Sequence, residues 1–281
     1  MEAYGPDENP DFVNRRHLLR LAASVGVATT VVACARNAIV NSGPDPDASP
    51  KPSSAPGSTA PLSANASPTA TPPVETRAAP TPISNTTSAM LLCRDAWGAR
   101  PARPGGRPHT ITRMTLHHEA VVLGDNRNAP GRFRQDQRYH QDQLGWIDIA
   151  YHVGVDRNGN IYELRTPEVA GDTATDYDTT GHFLVLCEGD FDREVVSEAQ
   201  LHGAALAFAW AVQTFHIATD TLAGHRDLAR TACPGTNLYA HITSGDLQRR
   251  IQALLAAGTV DLQRICGPDA SEKVAAIEAG F

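Results

Sequence analysis

From residue 89 onward the hydrophobic and polar positions follow two periods, and those periods define the elements. Ile111 to His118 is β-branched and alternating, with Arg113, Thr115 and His117 on one face and Met114, Leu116 and His118 on the other, which predicts a strand ending at a pair of histidines. Arg134 to Leu144 is polar and helix-compatible, and it leads through Gly145-Trp146 into a second strand over Ile149 to Val155. Asn158-Gly159 supplies residues that tolerate positive φ in a tight hairpin, returning as a third strand over Asn160 to Leu164. The short, mostly apolar run His182 to Cys187 predicts a buried central strand. Ser197 followed by Gln200 is a capping-box signal, and Leu201, Leu206, Phe208, Val212 and Phe215 form the apolar stripe of the helix behind it. Gly245 to Ala257 carries Leu247, Ile251, Leu254 and Leu255 at helical spacing and stops at Gly258. Hairpin and crossover elements together predict an α/β domain with a mixed central β-sheet flanked by helices.

Upstream the pattern changes. Arg15-Arg16-His17-Leu18-Leu19-Arg20 opens the 13-residue apolar stretch Leu21 to Ala33, which has the charged start, short apolar middle and small-residue end of a secretory signal. It is too short to span a bilayer as a stable anchor. The paired arginines before Leu-Leu resemble a twin-arginine signal; the alternative is an ordinary signal with a basic start. Val31-Val32-Ala33-Cys34 resembles a bacterial lipobox, which implies a lipidated Cys34 holding the protein to the membrane through several acyl chains; the alternative is an incidental Cys ending an apolar run. Residues 41 to 88 contain no aromatic side chain and 11 of the 20 prolines. Such a stretch buries too little apolar surface to offset its ordering entropy, and at about 3 Å per residue it reaches on the order of 100 Å. That reach suits work on a polymer beyond the membrane, such as the cell wall. The expected organisation is an export signal over residues 1–33, a Pro/Ser/Ala/Thr-rich tether over 34–88, a folded domain over 89–260 and a C-terminal tail over 261–281.

Composition narrows the function classes. With 24 basic against 31 acidic side chains the net charge is −7, which argues against a nucleic-acid partner. No repeat suggests a solenoid or propeller, and the expected state is a monomer. Nothing matches a serine-hydrolase elbow or a paired-carboxylate glycosidase. The segment from His225 to Gly235 places a His and a Cys in a Pro/Gly-terminated loop where both donors can turn toward one point. Zinc accepts neutral imidazole and thiolate readily, and a third donor is then needed, for which His117 at the end of the first strand is the leading candidate. Three protein ligands leave a fourth position for water, the mark of a catalytic site. The competing reading makes each His a satisfied surface or core residue, and it is retained for His118, His140, His152, His182, His202 and His216. With Cys34 lipidated, Cys233 on a metal and Cys187 packed in an apolar strand, Cys93 and Cys266 remain and are expected to form a disulfide in an oxidising exported setting.

Four separated motifs occur in a telling order: Trp97-Gly98-Ala99-Arg100, Thr115-Leu116-His117-His118, Gly145-Trp146-Ile147-Asp148-Ile149-Ala150-Tyr151-His152-Val153, and the His225 to Gly235 segment. Together they resemble the zinc N-acetylmuramoyl-L-alanine amidases, a family that includes the peptidoglycan recognition proteins. The resemblance runs from Arg94 to about Leu255. It implies Zn2+ held by His117, His225 and Cys233, with Tyr151 and Thr231 positioning water or donating hydrogen bonds to the developing oxyanion. It further implies peptidoglycan muropeptides as substrate, cut at the amide between the muramic acid lactyl group and L-alanine. Members that have lost the Cys bind peptidoglycan without cutting it, so the alternative is a non-catalytic peptidoglycan-binding lipoprotein of the same fold. Glu119, on the face of His117 if the strand continues, is a candidate general base, the alternative being a solvated loop carboxylate; Asp227 and Arg226 are expected to orient the ligand loop by ion pairing, and the implied location is the bacterial envelope. One departure stands out. Where many amidases carry a Trp-His or Ala-His element after the third strand, this chain reads Glu168-Val169-Ala170-Gly171-Asp172, without a His.

Overall fold

The computed structural model describes residues 85–281, so the export signal, Cys34 and the tether up to residue 84 lie outside the described residues. Strands β1 (Thr86–Leu92), β2 (Arg113–His118), β3 (Val153–Val155), β4 (Ile161–Glu163), β5 (His182–Cys187), β6 (Leu222–Gly224) and β7 (Thr259–Ile265) form one sheet in the order β6-β2-β5-β3-β4-β1-β7. Every neighbouring pair is parallel except β3 and β4, which form the hairpin expected from Asn158-Gly159. Gly159 has φ +82°, and a Cβ there would lie 2.5 Å from the carbonyl oxygen of Ala199. Glycine is therefore required both by the turn and by the packing of that turn on the next helix.

Helices cover both faces. Helix α1 (Ala129–Asp142) starts ahead of the expected Arg134, because Pro130 in its first turn suits a helix start. Helix α2 (Glu198–Phe215) is capped by Ser197, whose hydroxyl accepts the Gln200 N–H. Helices α3 (Thr236–Thr243), α4 (Asp246–Ala257) and α5 (Pro268–Ala279) complete the set. On one face Met114, Leu116, Phe183 and Val185 pack with Leu201 and Phe208 of α2 and with Leu247 and Ile251 of α4. On the other, Leu92, Tyr162 and Leu186 pack with Phe133 of α1 and with Ala270, Val274 and Ile277 of α5. This is a mixed-sheet α/β architecture, as the alternation of periods predicted. β2 is buried on both faces from Met114 to His118, where a half-exposed strand would alternate. Thr115 tolerates this because its hydroxyl lies 2.7 Å from Nδ1 of His182.

Three expectations need correction. The domain begins before residue 89: β1 starts at Thr86 and pairs in continuous register with β7, Thr86 opposite Thr259 through Leu92 opposite Ile265. Residues 261–281 are not a tail, since β7 adds an edge strand and α5 buries an i, i+4, i+7 stripe; Cys93 and Cys266 join at the end of this pair in a disulfide with Cα atoms 5.4 Å apart. The second strand is confined to Val153–Val155, because the carbonyls of Asp148 and Ile149 are taken by the guanidinium of Arg165 at 3.0 and 2.7 Å rather than by a neighbouring strand. No helix among the described residues is long and apolar enough to cross a membrane.

Candidate metal centre

Parallel pairing of β2 with β6 places Leu116 opposite Gly224. The next residue on each chain is a histidine, so the register itself sets His117 beside His225, with ring centroids 4.7 Å apart. Both lie at the carboxyl ends of their strands, where open α/β sheets collect ligands. From His225 the chain runs through a short turn and returns so that the Arg226 N–H donates to the Cys233 carbonyl at 2.9 Å. This closes the loop and brings the thiol in. Cys233 Sγ lies 3.6 Å from His117 Nδ1 and accepts the His118 backbone N–H at 3.3 Å. One donor atom from each of His117, His225 and Cys233 lies within 4.8 Å of the others, and this is the one such cluster among the described residues that could hold a metal ion.

Burial sets the electrostatics. It holds His117 well below the usual imidazole range, with the neighbouring His225 adding to the effect, and it lowers His225 to about 4. Both rings are therefore neutral at pH 7, the form that can give a lone pair to a metal. Burial also pushes the Cys233 thiol up, against the hydrogen bond from His118. His118 itself turns to the far side, where its Nδ1 accepts the Phe191 N–H at 3.2 Å.

A protein-family model described as N-acetylmuramoyl-L-alanine amidase matches residues 107–236. Peptidoglycan-recognition protein LB of Drosophila melanogaster is 33% identical over 165 residues, covering 56% of this chain and 69% of that protein. The chain belongs to the family of N-acetylmuramoyl-L-alanine amidases and peptidoglycan recognition proteins. The human N-acetylmuramoyl-L-alanine amidase is 34% identical over 167 residues, spanning 54% of this chain and 28% of the human protein. Among solved structures, peptidoglycan recognition protein LE in complex with tracheal cytotoxin superposes with a TM-score of 0.51 at 26% identity, covering 55% of this chain and 92% of that one.

Within this amidase and recognition-protein fold, Tyr151 stands beside the donors, its ring 5.1 Å from that of His117. Burial keeps its hydroxyl far above the usual phenol range, and the nearby Glu119 reinforces this. Thr231 sits in the ligand loop, its hydroxyl accepting the Cys233 N–H at 3.2 Å. Arg226 and Asp227 do brace that loop, but through backbone groups rather than the expected ion pair. Arg226 donates to the Ala232 carbonyl, Asp227 accepts the Gly224 N–H at 2.8 Å, and Tyr239 donates to Asp227 while stacking under Arg226.

β2 ends at His118, so Glu119 follows the strand rather than continuing it. Its carboxyl is raised well above the usual range by burial, then by Asp136 and Glu188, while Arg132 and a hydrogen bond from Tyr151 oppose the shift. Sequence reasoning did not bring these acids together. Asp136 comes from α1 and Glu188 follows β5, and both Glu188 carboxylate oxygens are buried without a hydrogen-bond partner. It also passed over Thr175 and Tyr177, which approach the two histidines at 2.7 and 3.3 Å. Their signal was the run of hydroxyls at every second position: Thr173, Thr175, Tyr177, Thr179.

Proposed function

We propose that the chain is a zinc-dependent N-acetylmuramoyl-L-alanine amidase that separates the glycan from the stem peptide of muropeptides by hydrolysis. The observation that carries this reading is the convergence of two neutral imidazoles and a thiol on one point. The donor chemistry fits the ion. Bond lengths near 2.1 Å to nitrogen and 2.3 Å to sulfur in a tetrahedral site imply donors about 3.6 Å apart, and His117 Nδ1 lies 3.6 Å from Cys233 Sγ. A mixed set of imidazole and thiolate favours zinc over magnesium or calcium.

Zinc bound by His117, His225 and Cys233 would supply a Lewis acid that polarises the scissile carbonyl and acidifies water. The chain's own residues do the rest. Tyr151, held as a neutral phenol beside the donors, would turn its O–H from Glu119 to the carbonyl oxygen as negative charge develops there. Thr231, with an oxygen already fixed by Cys233, keeps its own O–H free for the same oxygen or the attacking water. Glu119, next to Tyr151, is the general base of this proposal in its ionised form, taking the proton that the attacking water gives up. A relative solved with tracheal cytotoxin, described as monomeric diaminopimelic acid-type peptidoglycan, supports a muropeptide as ligand of a groove of this fold.

Mass spectrometry of purified muropeptides incubated with the zinc-loaded protein tests the reading. Separation of sugar and peptide at the lactyl amide is the expected result. Binding without cleavage would instead make the chain a recognition lipoprotein. The same proposal extends to location: the sequence from Arg15 to Cys34 supports export and lipid anchoring to the outer face of the cytoplasmic membrane. Cys34→Ala is then expected to release the protein from the membrane fraction, and salt-resistant sedimentation of that variant would reject the anchor.

A further inference from the structure

The loop that follows the departing stretch Glu168 to Asp172 brings hydroxyls rather than a histidine to the site. We propose that Thr175 and Tyr177 are positioning residues that place the proton of each ligand imidazole on Nε2, so that both rings present Nδ1 to the metal. The proposal rests on the zinc reading above.

The contacts are specific. Thr175 Oγ1 lies 2.7 Å from His225 Nε2, and the Tyr177 hydroxyl lies 3.3 Å from His117 Nε2. The Tyr177 ring also packs against His225 at 5.0 Å between centroids. On His117 the opposite nitrogen, Nδ1, faces the Cys233 thiol. A neutral imidazole carries one N–H, and the hydrogen bond made by one nitrogen decides which lone pair is left for a metal.

A neighbouring hydroxyl offers Thr175 an acceptor for its own proton. Thr173 Oγ1 accepts the Thr175 backbone N–H at 3.1 Å and lies 2.8 Å from the Thr175 hydroxyl. A hydroxyl oxygen has two acceptor sites, so Thr173 can take both Thr175 protons, which in the arrangement we propose leaves the Thr175 oxygen to accept from His225 Nε2–H. The Tyr177 hydroxyl oxygen can accept from His117 Nε2–H in the same way. The loop is anchored on both sides of the two hydroxyls. Asp172 pairs with Arg165 at 2.5 Å, Thr179 donates to the Gly171 carbonyl at 2.6 Å, and Asp178 pairs with Arg107 at 2.9 Å. Such outer partners of metal-bound histidine typically change metal affinity by about 10- to 100-fold when removed.

The test uses the full chain with 15N-labelled histidine and two readouts. Long-range 1H–15N spectra of the metal-free protein report the tautomers, and competition with a chromophoric chelator reports zinc affinity. The expected result is the Nε2–H tautomer for His117 and His225. Thr175→Val is expected to lose about 10- to 100-fold in zinc affinity, Thr175→Ser to recover most of it, and Tyr177→Phe to lose less. An Nδ1–H tautomer at His225 in the unsubstituted protein would overturn the proposal, and so would Thr175→Val binding zinc as tightly as the parent. If Thr175→Val fails to fold, the tautomer of the parent chain still decides. If the parent chain binds no zinc, the amidase reading fails, while the metal-free spectra judge the tautomer assignment separately.

Discussion

Cys233 Sγ and His117 Nδ1 lie 3.6 Å apart although 116 positions separate them in the chain. The thiol hangs from a loop whose backbone closes on Arg226, and the imidazole from the end of a central strand, so the contact depends on β6 lying parallel to β2. Loss of either donor is therefore distinguishable from loss of a group that only assists the reaction.

Cys233→Ser removes the soft thiolate, so zinc content and muropeptide hydrolysis are expected to fall together. Tyr151→Phe keeps the ring against His117 and deletes only the hydroxyl. Metal content should survive while turnover drops about 100-fold, roughly 3 kcal/mol if the hydroxyl stabilises the oxyanion as such donors usually do. Metal analysis alongside steady-state rates checks both. Near-normal hydrolysis by dialysed Cys233→Ser would end the zinc mechanism, and full activity in Tyr151→Phe would remove that hydroxyl's role.

Arg165 is buried and donates to the carbonyls of Asp148, Ile149 and Ala170 and to the Asp172 carboxylate. It ties the approach to Tyr151 to the loop that carries Thr175. Arg165→Met fills similar space but leaves those carbonyls without a donor, and the expected loss is about 3 kcal/mol or more. Arg165→Lys is expected to rescue little, because one ammonium cannot reproduce the fork of the guanidinium. Urea unfolding midpoints of the three proteins measure this; a Lys variant as stable as the parent would contradict it.

The disulfide joining Cys93 to Cys266 closes a loop with a sequence separation of 173. Constraint of the unfolded chain alone would be worth about 5 kcal/mol, and measured losses usually run between about 2 and 5. The Cys93→Ala/Cys266→Ala double variant is expected to melt well below the parent, and the parent in reductant to approach it. Equal melting temperatures would show that β1 and β7 hold without the crosslink.

Burial raises the Asp136 carboxyl from 3.8 to about 7, with Arg132 and Arg138 opposing. Between those values the folded chain keeps a proton that the unfolded chain has released. The contribution of this group to stability is therefore full below about 3.8, declines as pH rises and is lost above about 7. Asp136→Asn keeps the shape without titrating, so its stability relative to the parent should be higher at pH 8 than at pH 5. Urea titrations of both proteins, with chelator present throughout, give that difference; an equal offset at the two pH values would refute it.

The sequence by itself determined the elements whose cause is local. β5 runs from His182 to Cys187 as its apolar run predicted, Ser197 caps α2 through Gln200, and Asn158-Gly159 turns β3 back into β4. It also contained His225 and Cys233, because a His and a Cys in one short loop constrain each other through the chain, while His117 was a candidate from the pair of histidines that ends a predicted strand. Tertiary structure alone decided the rest. β1 and β7 pair across the length of the domain, and parallel pairing of distant strands leaves no mark in the spacing of either, so residues 261–281 read as a tail. Glu119 and Glu188 follow two different strands and Asp136 lies in α1, so these acids become neighbours only once α1 lies over the sheet. Thr175 and Tyr177 look like ordinary loop residues until the loop is pinned by Arg165 and Arg107 against the two imidazoles. Periodicity reports which face of an element is buried; which polar groups meet there is set by how the elements are stacked.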